Sequence, residues 1–431
     1  MRVFLLLTAL FALLPAVAAA QAPADSIGLR GLLDAAVAQD PRARQAALQA
    51  ALTDLRLHDL GTGRRPQLVL GGEATYQSEV PAFELPIPGV EGPRPPHLRA
   101  QATLDAEQLV WDGGRIAAQE AAERARLVEA QAGVTAALYP LRLAVAEAFF
   151  GARLSAEREA LVDLQLRDLE ARRDLVATQA REGAALTADV AAVEAEQLRL
   201  GQQRDEATAD RLTALAVLAD LTGAAIPPGA ALAVPTFPPL PDAAPTDTTA
   251  PGGRPEFRLY GARRDRVAAE AEALARQGRP RVSVFGQAGV GRPGLAQFDP
   301  TIHPYGLVGV RARWPLLDWG AAGRARAAAR LQQQVVDAEE TAFARGLRRD
   351  VEDERRAVDR LTRALATDDA IIDRRAEVER VARRQLEEGV LLTADYTRRL
   401  DELYTARATR ALHRAQLDQA RARYLLTLGL F

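Results

Sequence analysis

Glu182-Gly183-Ala184-Ala185-Leu186-Thr187-Ala188-Asp189 returns later in the chain as Glu388-Gly389-Val390-Leu391-Leu392-Thr393-Ala394-Asp395, at an offset of 206 residues (389 − 183). The spacing holds far from these octapeptides. Asp112 finds Asp318, and Gly223 finds Gly429, each 206 residues on. The preceding pairs, Leu221-Thr222 and Thr427-Leu428, are the same residues in swapped order. Upstream, Arg65-Pro66 matches Arg279-Pro280 at an offset of 214 (280 − 66), so the first copy carries eight more residues (214 − 206) between Pro66 and Asp112. A constant offset over a hundred residues marks an internal duplication, and a repeat dictates how the rest of the chain is read.

The copies occupy residues 21–223 and 254–431. Residues 224–253 join them, with Pro227-Pro228, Pro238-Pro239, Pro241, Pro245 and Gly252-Gly253, the composition of an extended linker. Whether it packs on a surface is not written in the composition. Residues 1–20 stand apart. Arg2, an apolar run from Val3 to Val17 and Ala18-Ala19-Ala20 before Gln21 describe a cleavable signal peptide and a mature protein outside the cytoplasm. No other stretch approaches the ~20 apolar residues of a spanning helix, so a membrane crossing would have to use strands.

Each copy reads as a helix, two strands, a very long helix, a short break and another helix. Residues 28–59 and 254–277 are rich in Ala and Leu with interspersed charge, which favours helix. After each proline the period changes to two. Leu68, Leu70, Gly72, Ala74 and Tyr76 share one face, as do Val282, Val284, Gly286, Ala288 and Val290. The return strands alternate too: Leu98, Ala100, Ala102, Leu104 and Ala106 oppose Arg99, Gln101, Thr103, Asp105 and Glu107, and Val308, Val310, Ala312 and Trp314 oppose Arg311 and Arg313.

Segments of this length with one apolar and one charged face suit a membrane barrel, lipid outside and water inside, and a soluble half-buried hairpin equally well. The tryptophans favour lipid. All three, Trp111, Trp314 and Trp319, lie where a return strand meets the next helix, the place of aromatic girdles at membrane interfaces. Helical character then runs for about 68 residues to Gly183 and Gly389, a rod of roughly 100 Å. Val162, Leu166, Leu169, Arg173 and Val176 step along it in a coiled-coil cadence. Pro140 and its counterpart Gly346 weaken the two rods at matching points, where a bend is expected. Rods this long need neighbours along their length.

Four strands cannot close a membrane barrel, whose smallest members have about eight, and an open edge in lipid leaves backbone groups unsatisfied. Transmembrane hairpins therefore require an oligomer that shares one barrel. In Arg254-Pro255-Glu256, Pro66 and Pro280 before the strands, Asp112-Gly113-Gly114 and Asp318-Trp319-Gly320 after them, and Leu143-Ala144-Val145-Ala146-Glu147-Ala148-Phe149-Phe150, the chain resembles TolC-type outer-membrane efflux proteins over nearly all of its mature length. The resemblance implies an α+β membrane protein: a homotrimer with a shared transmembrane β-barrel, four strands per chain, continuing into a long α-helical periplasmic barrel.

It further implies an outer-membrane channel of a tripartite efflux or type I secretion system, a passive duct fed by an inner-membrane transporter through a periplasmic adaptor. Many relatives carry lipid on an N-terminal cysteine; this chain has no cysteine. The tips, Gly183, Leu186, Thr187 and Asp189 with Gly389, Leu392, Thr393 and Asp395, are the implied periplasmic entrance and adaptor contact. Glycine permits such turns, and Asp or Thr can cap the next helix, which explains the residues without any gate. Where some relatives place a second acid one turn later, this chain has Arg398-Arg399, so an ion pair between Asp395 and these arginines is the expected gate element.

Other classes find little support. A net charge of −2 gives no footprint for nucleic acid. His58, His97, His303 and His413 lack ligand spacing, and there is no phosphate loop or nucleophile elbow, so neither metal, cofactor nor enzymatic activity is expected. A periplasmic adaptor would carry one helical hairpin between lipoyl-like strands, and a soluble coiled coil would not need tryptophan at strand ends.

Overall fold

Two helices of 67 residues each organise the molecule: α3 (Arg115–Arg181) and α6 (Ala321–Glu387), whose first residues lie 206 apart (321 − 115). The computed structural model describes residues 27–81, 94–183, 185–240 and 253–430. Residues 1–20, expected to be a signal peptide, residues 241–252 of the linker and most of the first hairpin's longer loop lie outside that set. The order is α1 (Leu29–Gln39), α2 (Ala43–Thr62), β1 (Gln67–Tyr76), β2 (Leu98–Trp111), α3 and α4 (Thr187–Thr222). The second copy follows with α5 (Pro255–Arg276), β3 (Arg281–Arg292), β4 (His303–Arg313), α6 and α7 (Thr393–Leu428).

The single helix expected over 28–59 is two. Asp40 is extended (φ −60°, ψ 128°), as a residue before proline must be, and its carboxylate accepts from the Arg42 backbone N–H at 2.8 Å. α3 runs through Pro140 as one continuous helix. Neighbours hold it there: the adjacent Tyr139 hydroxyl donates to the Leu426 carbonyl of α7, and the Arg254 guanidinium lies 4.4 Å from the Tyr139 ring centroid.

The largest core joins both copies. Leu29, Leu32 and Leu33 of α1 pack with Val145, Phe149 and Phe150 of α3, Leu215 and Leu218 of α4 and Leu426 of α7. One 18-residue window of α3 has the mean hydropathy of a membrane span. Val145, Ala146, Phe149, Phe150 and Ala152 of α3 are buried in this core. The described part of the linker is a strap over it. Leu232 bridges Ile27 in parallel, and Ile226, Leu232 and Phe237 pack on the core. Towards the tips, Leu169 of α3 meets Val193 and Leu200 of α4. The cadence through Val162, Leu166 and Leu169 then reaches Arg172, which is buried, rather than Arg173.

The strands form one antiparallel sheet in the order β1-β2-β3-β4, so the two hairpins pair through β2 and β3. Registers align the apolar faces across all four strands. Leu70 faces Leu104, Leu104 faces Ala288, and Val284 faces Val310.

Phe149 is fully buried at the meeting of α1, α3, α4 and α7. Phe149→Ala is expected to destabilise the fold by about 3–5 kcal/mol through lost burial and a residual cavity. A thermal midpoint unchanged from wild type would contradict that assignment.

Candidate functional site

The sheet inverts the usual distribution of polarity. On its apolar face Leu70 and Val308 are 82% and 87% exposed, whereas Thr103 and Ser283 on the polar face are only 8% and 7% exposed. The polar face is knitted by side chains. Gln287 Nε2 donates to Asp105 Oδ1 at 2.6 Å, Thr103 Oγ1 to Asp105 Oδ2 at 2.9 Å, and Gln101 Nε2 to Glu73 Oε2 at 3.2 Å. The Arg311 guanidinium pairs with Glu107 at 3.4 Å and sits 4.3 Å from the Phe285 ring centroid. β1 and β4 are the outer strands, each with one side unpaired within the described residues.

The tryptophans gather at the helical end of this sheet, all exposed. A register shift after Leu109 sets Trp111 opposite Val282, a residue of the apolar face, where strict alternation would have put it on the polar one. Trp319 has φ 52°, a left-handed conformation costly for a side-chain-bearing residue, while its repeat counterpart is Gly113. Both junctions are fixed by aspartate. Asp112 accepts from the Gly114 and Ile116 backbone N–H groups at 2.8 and 2.7 Å, and Asp318 from Gly320 and Ala322 at 2.9 and 3.1 Å. Burial pushes the Asp112 carboxyl up, but these backbone donors, with Arg115 and Arg64, leave it below its ordinary value.

At the opposite end of the helices, Gly183 and Gly389 turn each hairpin with φ of 76° and 72°, the conformation glycine adopts without steric cost. Asp189 reaches back to accept from the Leu186 N–H at 3.0 Å, so this acid caps α4. Leu186 and Leu392 are exposed at the tips. Thr187 and Thr393 begin α4 and α7. Asp395 pairs with Arg398 one turn along α7, within a single chain; Arg399 has no ion pair among the described residues.

The sequence reading missed a cluster beside the tip. The Arg172 guanidinium of α3 bonds Asp168 at 3.2 Å and Thr397 Oγ1 of α7 at 3.0 Å, and lies 4.6 Å from the Tyr396 ring centroid. Tyr396 donates its hydroxyl proton to buried Glu379 of α6 at 2.7 Å, and Arg383 bonds the same oxygen at 2.7 Å. Three helices from both copies are thereby tied together. The i,i+4 pairs Asp168–Arg172 and Glu379–Arg383 were visible as spacings, but nothing in the sequence placed one helix over the other.

Burial pushes the Glu379 carboxyl up, yet the bonds from Tyr396 and Arg383 outweigh it and hold the group below its ordinary 4.5. Its contribution is therefore complete above 4.5 and is lost as pH falls through the lower folded value. Asp401, on the same face of α7, runs oppositely. Burial, with Glu196 adding to it, raises its pKa, so its protonation on acidification relieves a cost. Between about pH 4.5 and about pH 3 the thermal midpoint of Glu379→Gln should fall less steeply than that of wild type, and between about pH 6 and about pH 4 that of Asp401→Asn should fall more steeply. Parallel curves for all three proteins would contradict this account.

No protein-family model and no curated protein matches the sequence. Solved structures do match the fold over nearly its whole length. CusC, described in terms of transmembrane channel formation, superposes with a TM-score of 0.70 at 14% identity over 93% of this chain and 92% of that one. The outer membrane protein VceC of Vibrio cholerae gives 0.64 at 16% identity over 93% and 96%. The open MtrE outer membrane channel of Neisseria gonorrhoeae gives 0.65 at 19% identity over 93% and 88%. The chain has the fold of TolC-type outer-membrane efflux proteins.

Proposed function

We propose that this protein is the outer-membrane duct of a tripartite efflux or secretion system. The observation that carries the reading is the inverted sheet, with its exposed apolar face, its hydrogen-bonded polar face and its unpaired outer strands. Lipid suits the first and water the second, and only closure suits the third. Two chains would supply eight strands and three would supply twelve. The resemblance to TolC-type proteins implies three, a homotrimer whose β1 and β4 edges pair between protomers. Trp111, Trp314 and Trp319 then stand at the membrane interface, and α3 and α6, each roughly 100 Å long, extend a helical barrel into the periplasm.

In this arrangement the protein performs no chemistry. It offers a water-filled path from a periplasmic adaptor, loaded by an inner-membrane transporter, to the cell exterior. Residues 1–20 direct export and are removed. The tips around Gly183, Leu186, Thr187 and Asp189 and around Gly389, Leu392, Thr393 and Asp395 form the entrance and meet the adaptor. Asp395 with Arg398 and Arg399 narrows it, and the Arg172–Tyr396–Glu379 cluster holds the two helical hairpins of each protomer together behind it.

Reconstituted in a planar bilayer, the purified trimer should conduct; a water-soluble monomer without conductance would end the duct reading. Leu70→Arg, on the lipid side near mid-strand, should cost about 2–4 kcal/mol of insertion and deplete the protein from the outer membrane, while Glu73→Gln on the water side should not. Equal insertion of the two variants would count against the assigned faces. Replacing Arg398 and Arg399 by Ala together should raise conductance; an unchanged value would remove them from the gate.

A further inference from the structure

Where the sheet meets the helices, a cavity of about 690 Å³ opens among Arg115, Arg279, Arg281, Arg313, Asp112 and Trp314. Four guanidinium groups line it, and none of the four forms an ion pair among the described residues. Arg281 and Arg313 are direct partners in the β3–β4 ladder, like charges opposed where they repel. Arg279 donates to the Gly113 carbonyl at 3.1 Å, and the buried Nε of Arg115 has no hydrogen-bond partner. An orphaned buried donor beside an unneutralised pair is costly unless something occupies the space.

The nearby acids offset the group only in part. Asp112, on the cavity wall, acts on Arg115 through its charge, while its oxygens accept from the Gly114 and Ile116 backbone N–H groups, leaving one carboxylate against four guanidinium groups. Glu107, whose charge reaches Arg281 and Arg313, makes its ion pair with Arg311 at 3.4 Å. A partner strand paired on β4 would add no carboxylate at this level. The edge that β4 offers would be met by a partner's β1, which at this level follows Arg64 and Arg65 and whose one carboxylate, Glu73, lies further along the strand.

We infer that these four arginines form an oxyanion-binding site facing the duct, suited to phosphate or carboxylate groups on an exported organic anion. Guanidinium forks bind such groups in bidentate geometry, and the volume falls within the roughly 300–1,000 Å³ of small-molecule sites. Arg281 and Arg313 share the polar face with Ser283 and Arg311, so the site opens to water rather than lipid; that placement rests on the duct reading. Three copies would set a basic belt around the barrel's inner end.

Inorganic pyrophosphate is the probe. Isothermal titration of the detergent-purified full-length protein should show binding that weakens with salt. Arg281→Gln with Arg313→Gln should weaken it by at least about tenfold, whereas Arg292→Gln at the far end of β3 should not. In a neutral-lipid bilayer, pyrophosphate added on the barrel side should reduce the current of wild type but not of the double variant, whose unblocked current also reports that it folds. Conductance without pyrophosphate binding would overturn the inference and leave the duct intact. Binding lost in the double variant, without conductance, would keep the site and remove the duct. Wild-type block that disappears when phosphatidylglycerol is included would reassign the site to a lipid headgroup and overturn its placement in the duct.

Discussion

The structure depends on where an antiparallel sheet with an exposed apolar face can satisfy its backbone. Four strands pair with one another and leave the outer edges of β1 and β4 open. In water the apolar face would have to find cover, and in lipid the edges would, at several kcal/mol for each unmet group. In the proposed arrangement lipid covers the face and a shared barrel pairs the edges. Neither α3 nor α6 is stable by propensity alone, so each needs partners along its length. Within one chain those partners come from both copies, as the core shared by α1, α3, α4 and α7 shows.

Charge is distributed along this scaffold in a way composition did not suggest. A net charge of −2 is close to neutral, yet acids cap the tips at Asp189 and pair at Asp395 while arginines crowd the sheet–helix junction. Many helical arginines are paired, for example Arg264 with Asp337 at 3.0 Å and Arg126 with Glu270 at 2.7 Å. Exposed pairs of this kind contribute little each, on the order of 0–1 kcal/mol. The junction guanidinium groups that form no ion pair carry more information than the paired ones, because like charges held close are costly.

The duplication also shows where two copies of one unit diverge. Where the first copy has Gly113 the second has Trp319, with a strained backbone that places an aromatic ring at the strand end. Pro140 and Gly346 both sit inside continuous helices, so a helix-weakening residue was tolerated where neighbours supply the missing restraint. Asp40-Pro41 was not tolerated in the same way. There the chain satisfied proline by extending Asp40 and starting a new helix at Ala43.

From the sequence alone came the repeat, the strand parity, the tip spacing and the length of the rods. All of these are local periodicities or fixed offsets, and the backbone obeys them wherever the chain goes. Tertiary structure decided the rest. It joined the hairpins through β2 and β3, brought α3 of one copy against α7 of the other, and buried Arg172 where the cadence had pointed to Arg173. It also turned Trp111 to the apolar face through a register shift. The physical reason is common to these cases. A residue's partners across a helix pair or a sheet are set by the global arrangement of elements, and one residue of offset changes which side chain meets which. The Gly183–Asp189 motif determines that the chain turns there; only the packed fold determines what stands beside the turn.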